Sequence, residues 1–236
     1  MGSLMTAYTV EADGTIIGRS MAGFSWSNKN DLVFNWHPTL MVFGFIFCSS
    51  QAILVFVSKP FEHYSNKLVH VACHSLSILS VAVGTIAIFR YHNEHGFSNL
   101  HSVHSWVGLT TLIVFALQYV FGFVVYFKPG AAILFRKASM PYHIGFGLGI
   151  LALIAMTCVS GILEQLSFNA SCDLTGTLNG QRVESFMALD CVVGSVVALL
   201  IALLSIALVV VVWVSKHRVD DVAAPDAKVH LLKANA

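Results

Sequence analysis

Five runs of predominantly apolar residues, roughly 38–57, 68–89, 104–127, 143–163 and 187–214, alternate with shorter polar stretches along the chain. An α-helix needs about 20 such residues to cross the hydrocarbon core of a bilayer. None of the five runs has an Asp, Glu, Lys or Arg in its middle. Within lipid every backbone N–H and C=O must find its partner inside the chain, which a helix provides. The pattern therefore predicts an all-α, polytopic transmembrane helical bundle with five spans, joined by connections too short to fold alone. Residues 1–36 carry Glu11, Asp13, Arg19, Lys29 and Asp31 among glycines and serines, with no run of spanning length and no signal-peptide core. They are expected to form a polar segment ahead of one membrane domain, 37–215, with a short polar tail at 216–236.

Composition agrees with the pattern. Of 236 residues, 56% are hydrophobic and 11% charged, against about a quarter charged in soluble domains. Membrane lipid is the expected surrounding, and no nucleic-acid partner is expected. Lys and Arg in short loops stay on the cytoplasmic side. Lys59 and Lys67, then Lys128, Arg136 and Lys137, then Lys216 and Arg218 fall in connections that share one side. The other side has Arg90 and Arg182 set against Glu94, Glu164, Asp173 and Glu184. The N-terminal segment, 90–103 and 164–186 are thus expected outside or in a lumen, where Asn169-Ala170-Ser171 is a glycosylation sequon. The five cysteines show no CxxC or metal-type spacing. Cys48, Cys73 and Cys158 lie in spans and read as small buried hydrophobes. Cys172 and Cys191 lie in or beside the lumenal 164–190 connection, where either a disulfide or two thiols fits the sequence.

Candidate chemistry comes from histidine. His37, His70, His104 and His143 each stand at or near the N-terminal end of one of the first four spans. Successive spans run antiparallel, so His37 and His104 fall near the lumenal face and His70 and His143 near the cytoplasmic one. For any single histidine an interfacial hydrogen bond is the simpler reading. Four at equivalent places in consecutive helices point further, because ionisable groups within spans mark function. Two facing imidazoles without a nearby carboxylate or thiolate do not make a closed zinc site, which takes four ligands. They do match haem iron, where the porphyrin supplies four nitrogens and the protein an axial pair. Without a CxxCH motif the haem is expected to be b-type. Gly44, Gly84, Gly108, Gly122, Gly145, Gly147 and Gly149 would let a flat macrocycle or a neighbouring helix approach, and the two explanations stand level.

FNWHP, KLVH, SVHSWVGL, MPYH and SGILEQ, in this order and spacing over roughly residues 33–215, are similar to the motifs of the cytochrome b561 family of ascorbate-dependent transmembrane electron-transfer proteins. The resemblance implies two haem b groups between four central helices, one bound by His37 and His104 and the other by His70 and His143. It implies a cytoplasmic ascorbate site at Lys67 and Arg136, and a lumenal residue, His92, at the electron acceptor. It also implies homodimers. Two features differ from the family pattern. Where the family often has lysine seven residues before the second ligand, this chain has His63, neutral for much of the time near pH 7. The family has six helices with both termini cytoplasmic, and the helix without a counterpart here is the first, which supplies no ligand.

With both axial positions taken by imidazole, such a centre moves electrons and does no chemistry at the metal. The expected function is transmembrane oxidoreduction, from cytoplasmic ascorbate to ferric iron or monodehydroascorbate across a plasma, endosomal, lysosomal or secretory-vesicle membrane. Cationic Lys67, Arg136 and Lys137 would concentrate the ascorbate monoanion; positive-inside anchoring suffices for Lys137 and Lys128. His92, His95, His101 and Glu94 offer imidazole and carboxylate to a metal ion, or are solvated loop residues. His74, one turn beyond His70, reads as support for that ligand or for a haem propionate. Glu164 is expected to meet water, and Trp36, Trp106 and Trp213 to mark the bilayer boundaries. The competing functions are a dihaem electron-transfer subunit that needs a partner, and a haem-free transporter or scaffold with a histidine proton relay.

Overall fold

The computed structural model describes residues 6–10, 15–20, 23–27, 31–127, 131–169, 172, 177–178, 181–182 and 188–234, with the side chains of α6 described to residue 216. Glu11, Asp13, Lys29, Lys128, Asp173, Glu184 and the Ala170-Ser171 part of the sequon lie outside the described residues, as do the side chains of Arg19, Arg182 and Arg218. Five helical segments are long and apolar enough to cross a membrane: Asp31–Ser58, His63–His95, Val103–Phe127, Ile133–Phe168 and Leu189–Lys216. They are the five expected spans, the first four extended and the fifth shifted by two residues.

The first span is composite. Helix α1 (Trp36–Met41) passes through a π-helical stretch, Val42–Cys48, into α2 (Ser49–Ser58). A π-turn closes i→i+5 bonds and so takes up an extra residue without breaking the helix. The carbonyl of Gly44 accepts the hydroxyls of Ser77, at 2.7 Å, and of Ser49, at 3.3 Å, in a fully buried cluster. Lys59, in the left-handed region at φ 48°, ends α2, and Pro60 prevents its continuation.

Helix α3 (His63–His95) ends at Gly96, with φ 69°. Helix α4 (Val103–Gly122) starts on Ser102, whose hydroxyl accepts the Ser105 N–H at 3.2 Å, and finishes in a π-helical turn, Phe123–Phe127. Helix α5 (Ile133–Phe168) carries Pro141 in its interior, and α6 (Leu189–Ala234) closes the order. Two short antiparallel hairpins complete the chain: β1 (Thr6–Val10) with β2 (Ile16–Ser20), and β3 (Thr177–Leu178) with β4 (Gln181–Arg182). Cys172 and Cys191 form a disulfide, which ties the α5–α6 connection to the start of α6.

Two helix pairs build the core. The first span packs along α3 and α4 packs along α5, whereas α3 and α4, though consecutive, touch little; α6 lies on α5 and α2. Phe45, Val81, Phe115, Ile150 and Ile154 form a buried apolar plug between the pairs. Large apolar side chains such as Leu117, Leu134, Phe146 and Leu200 face outward, as lipid-facing surfaces require.

The segment leading into α1 is not merely polar. Asn35 Nδ2 donates to the Gly23 carbonyl at 2.7 Å, and Phe24 and Trp26 pack on Trp36 at ring separations of 5.0 and 6.0 Å. Arg90 of α3 lies 5.5 Å over Trp26, and His95 Nε2 stands 2.9 Å from Asp31 Oδ1. Residues 23–27 and 31–35 thus pack against the end of α3, and Trp36 sits in an aromatic cluster there.

Candidate functional site

The four helix-entry histidines meet as two couples. The rings of His37 and His104 are 6.2 Å apart between centroids, and those of His70 and His143 are 6.5 Å apart. Bonds of ~2 Å from imidazole nitrogen to metal, plus roughly 1 Å from each nitrogen to its ring centre, put two imidazoles on one iron about 6 Å apart. Both couples match that span.

The second nitrogen of each ring is held. His37 Nδ1 lies 3.1 Å from the Gly84 carbonyl, His70 Nδ1 2.7 Å from that of Ala52, and His104 Nδ1 3.0 Å from that of Thr157. A carbonyl can only accept, so each of these Nδ1 atoms carries the hydrogen and leaves the Nε2 lone pair for a metal. His143 differs: Gln118 Nε2 stands 2.9 Å from its Nδ1 and 2.6 Å from its backbone carbonyl.

These partners follow a register. Each helix contributes a histidine to one layer and a holding group to the other. The offset is fourteen residues from His70 to Gly84, from His104 to Gln118 and from His143 to Thr157. Fourteen residues make almost four whole turns and ~21 Å of rise, so both groups face inward and the layers are about that far apart. In the first span the offset from His37 to Ala52 is fifteen, and the π-helical stretch between them takes up the additional residue.

Glycine admits two of the rings. A Cβ on Gly161 would lie 2.6 Å from His104 Cε1, and one on Gly122 would lie 3.0 Å from His143 Cε1. Gly161 and Gly122 each stand eighteen residues after the histidine of their own helix, one turn beyond the holding group. Among the described residues nothing lies within 4 Å of such a Cβ on Gly145 or Gly149, so neither supports a helix contact there. The donor set, the spacing and the sparse packing between the helix pairs fit a bis-imidazole haem in each layer.

His74 packs its ring 4.6 Å from that of His70 and 5.5 Å from Phe115, and its Nδ1 is buried without a hydrogen-bond partner among the described residues. At the His70 end, Lys67 Nζ donates to the Tyr126 carbonyl at 3.1 Å, one of the carbonyls that the end of the third span leaves unpaired. Arg136 is half-buried, with Nε lacking a partner among the described residues; Lys137 and His63 are exposed. The Tyr126 ring lies 5.0 Å from that of His143 and its hydroxyl 2.8 Å from Ser139 Oγ, so one residue touches both the basic group and the histidine.

At the His37 end the predicted histidines separate. His92 and His101 have their rings 5.9 Å apart, and His92 Nδ1 is 3.2 Å from Asn99 Oδ1. His95 turns instead to Asp31. Glu164 does not simply meet water: its Oε2 accepts the Ser102 hydroxyl at 3.1 Å, and its Oε1 stands 4.0 Å from His101 Nε2. Among the described residues no group of three or more His, Cys, Asp or Glu is placed to hold a metal ion.

Gln118, Tyr126 and Gly161 were not singled out from the sequence. Gln118 had left a signal there, as the one amide in the 104–127 run.

The sequence profile described as eukaryotic cytochrome b561 matches residues 36–169. A probable ascorbate-specific transmembrane electron transporter 1 of Oryza sativa subsp. japonica is 38% identical over 204 residues, which is 86% of this chain and 82% of the relative. A probable ascorbate-specific transmembrane electron transporter 2 of the same organism is 41% identical over 157 residues, 66% of each chain. A lysosomal membrane ascorbate-dependent ferrireductase of Homo sapiens is 39% identical over 150 residues, 62% of each. The chain therefore spans just under two thirds of the length of the last two.

Proposed function

Because this chain belongs to the eukaryotic cytochrome b561 family, we propose that it passes single electrons from ascorbate on the cytoplasmic side, through two haem b groups, to an acceptor on the far side. The observation that carries this reading is the pair of facing imidazole couples with three of four Nδ1 atoms held by carbonyls. His37 and His104 would hold one haem and His70 and His143 the other. Haem b supplies a one-electron carrier in each layer. The chain's own residues would supply two imidazoles to each haem, fix the ring orientations through their Nδ1 partners and exclude water with the Phe45–Phe115 plug.

The ends of the bundle set the direction. The disulfide at the His37 end belongs to an oxidising compartment or the exterior, and the lysine and arginine loops lie at the opposite end. Ascorbate arrives there as a monoanion and gives up one electron and one proton to become monodehydroascorbate. Lys67 and Arg136 bind and orient the anion. On the far side one electron converts ferric to ferrous iron, or returns monodehydroascorbate to ascorbate with uptake of a proton. His92, beside His101 and Glu164, contacts that acceptor. The names of the rice and human relatives support the donor, and that of the human relative supports ferric iron as acceptor.

Purified protein is expected to show two haems per chain and reduction of both by ascorbate, read from reduced-minus-oxidised spectra. A colourless protein would favour a transporter or scaffold. Haems that ascorbate leaves oxidised would indicate a subunit fed by a partner.

Lys67→Met should raise the ascorbate concentration for half-maximal haem reduction about tenfold, equivalent to ~1.4 kcal/mol, with haem content unchanged. Its response to added salt should also flatten, since the lost attraction is the screened one. Unchanged half-saturation would reduce Lys67 to a cap on the third span.

A further inference from the structure

Three of the four imidazole couple members are held at Nδ1 by backbone carbonyls, which no side-chain substitution can remove. The fourth, His143, is held by the Gln118 amide. Gln118 sits one turn before Gly122, which admits the His143 ring, and its Nε2 lies 3.7 Å from where a Gly147 Cβ would stand. In the structure the nitrogen that faces Nδ1 also donates to the His143 carbonyl at 2.6 Å. An amide differs from a carbonyl in having both a donating and an accepting face, and the choice between them follows the hydrogen-bond network.

With nitrogen toward Nδ1, as in the structure, the amide donates and leaves the hydrogen of the neutral ring on Nε2. Ligation through Nε2 requires that hydrogen on Nδ1, and the amide must then turn its oxygen there and release the His143 carbonyl, to which the amide nitrogen donates in the structure. We infer that Gln118 is the positioning residue of the His70–His143 layer: by the face it turns to His143 Nδ1 it sets the electron donation of that ligand, and through it the reduction potential of that layer alone.

The physical link is that an acceptor on the outer nitrogen of a ligating imidazole fixes its orientation and raises its basicity, and a more basic ligand favours the oxidised metal. Gln118→Glu offers only acceptor oxygens, so it strengthens donation and lowers the potential. Gln118→Leu removes the acceptor and acts in the opposite sense. The other layer, ~21 Å away along the helices, has its own carbonyl partners and does not respond.

This inference rests on the dihaem reading above, and the test separates the two. Full-length wild type, Gln118→Glu and Gln118→Leu are purified in detergent, their haems counted, and both midpoints measured by spectroelectrochemical titration. The His70–His143 midpoint is assigned with His37→Leu protein, which lacks the other layer. Wild type without two haems would overturn the dihaem reading itself. Given two haems, the expected result is a lower potential for the His70–His143 layer in Gln118→Glu. The shift should reach about tenfold in the reduction equilibrium, about 59 mV for one electron, with a shift of opposite sign in Gln118→Leu and the second midpoint fixed. Loss of that one haem in Gln118→Leu with retention in Gln118→Glu supports the same role. Midpoints unchanged in both variants, shifts of the same sign, or movement of both layers together would overturn it.

Discussion

On the proposed dihaem reading, protein carrying His37→Leu is expected to purify with one haem per chain instead of two, and to lose electron transfer across the membrane while still being reduced by ascorbate. Leucine keeps much of the side chain's bulk, so the helix entry survives, but it leaves His104 as a lone axial donor. The His70–His143 layer shares no side-chain partner with His37: its rings are held by Ala52 and Gln118, about four helical turns away. Haem per protein and the ascorbate-reduced spectrum read the first effect. Ferric reduction by ascorbate-loaded proteoliposomes, down at least 100-fold or ~2.7 kcal/mol in barrier terms, reads the second. Retention of two haems would show that His37 is not a ligand. Loss of both from folded protein would show that the layers do not form independently.

The second large effect comes from a residue with no side chain to offer a ligand. Gly161→Val should empty the same layer with all four histidines intact. A Cβ at Gly161 already meets His104 Cε1 at 2.6 Å and Nδ1 at 2.9 Å, and valine adds two methyl groups to that overlap. The ring must swing away, giving up both its bond to the Thr157 carbonyl and its approach to His37. Overpacking of this kind costs about 1–3 kcal/mol, and haem content is the readout closest to it. Gly122→Ala, at 3.0 Å from His143, should keep both haems with a perturbed spectrum, and Gly149→Ala, facing open space, should be silent. Equal haem content in all three would detach the glycines from the site.

Much of this arrangement was legible in the chain before any coordinates. Long apolar runs without mid-span charge can only be helices in lipid, so the five spans and their antiparallel order followed, and with them the pairing of histidines by layer. The holding groups were not legible, for a plain reason. A carbonyl from Gly84, Ala52 or Thr157 looks the same whatever side chain stands above it, and leaves no mark in sequence beyond a tolerance for small residues. Gln118 did leave one. Glycine misled in part: Gly145 and Gly149 have the spacing of a helix contact yet meet nothing, whereas Gly161 was passed over. Glu164 was taken as solvated because a helix end usually is, but the turn that caps α4 brings the Ser102 hydroxyl to it. The packing of Trp26 under Arg90 and of Asp31 against His95 depends on long-range contacts that local polarity does not encode.

The π-helical stretch in the first span has one more consequence. Removing a residue from most places in these spans would turn everything downstream by about 100° and swing a histidine or its hydrogen-bond partner toward lipid. Between Met41 and Ser49 the same excision would only iron the backbone back to an ordinary helix, and the Ala52 carbonyl would still reach His70. That short stretch is the slack in an otherwise indexed frame, the place where the chain can shrink by a single position without retiming its two halves.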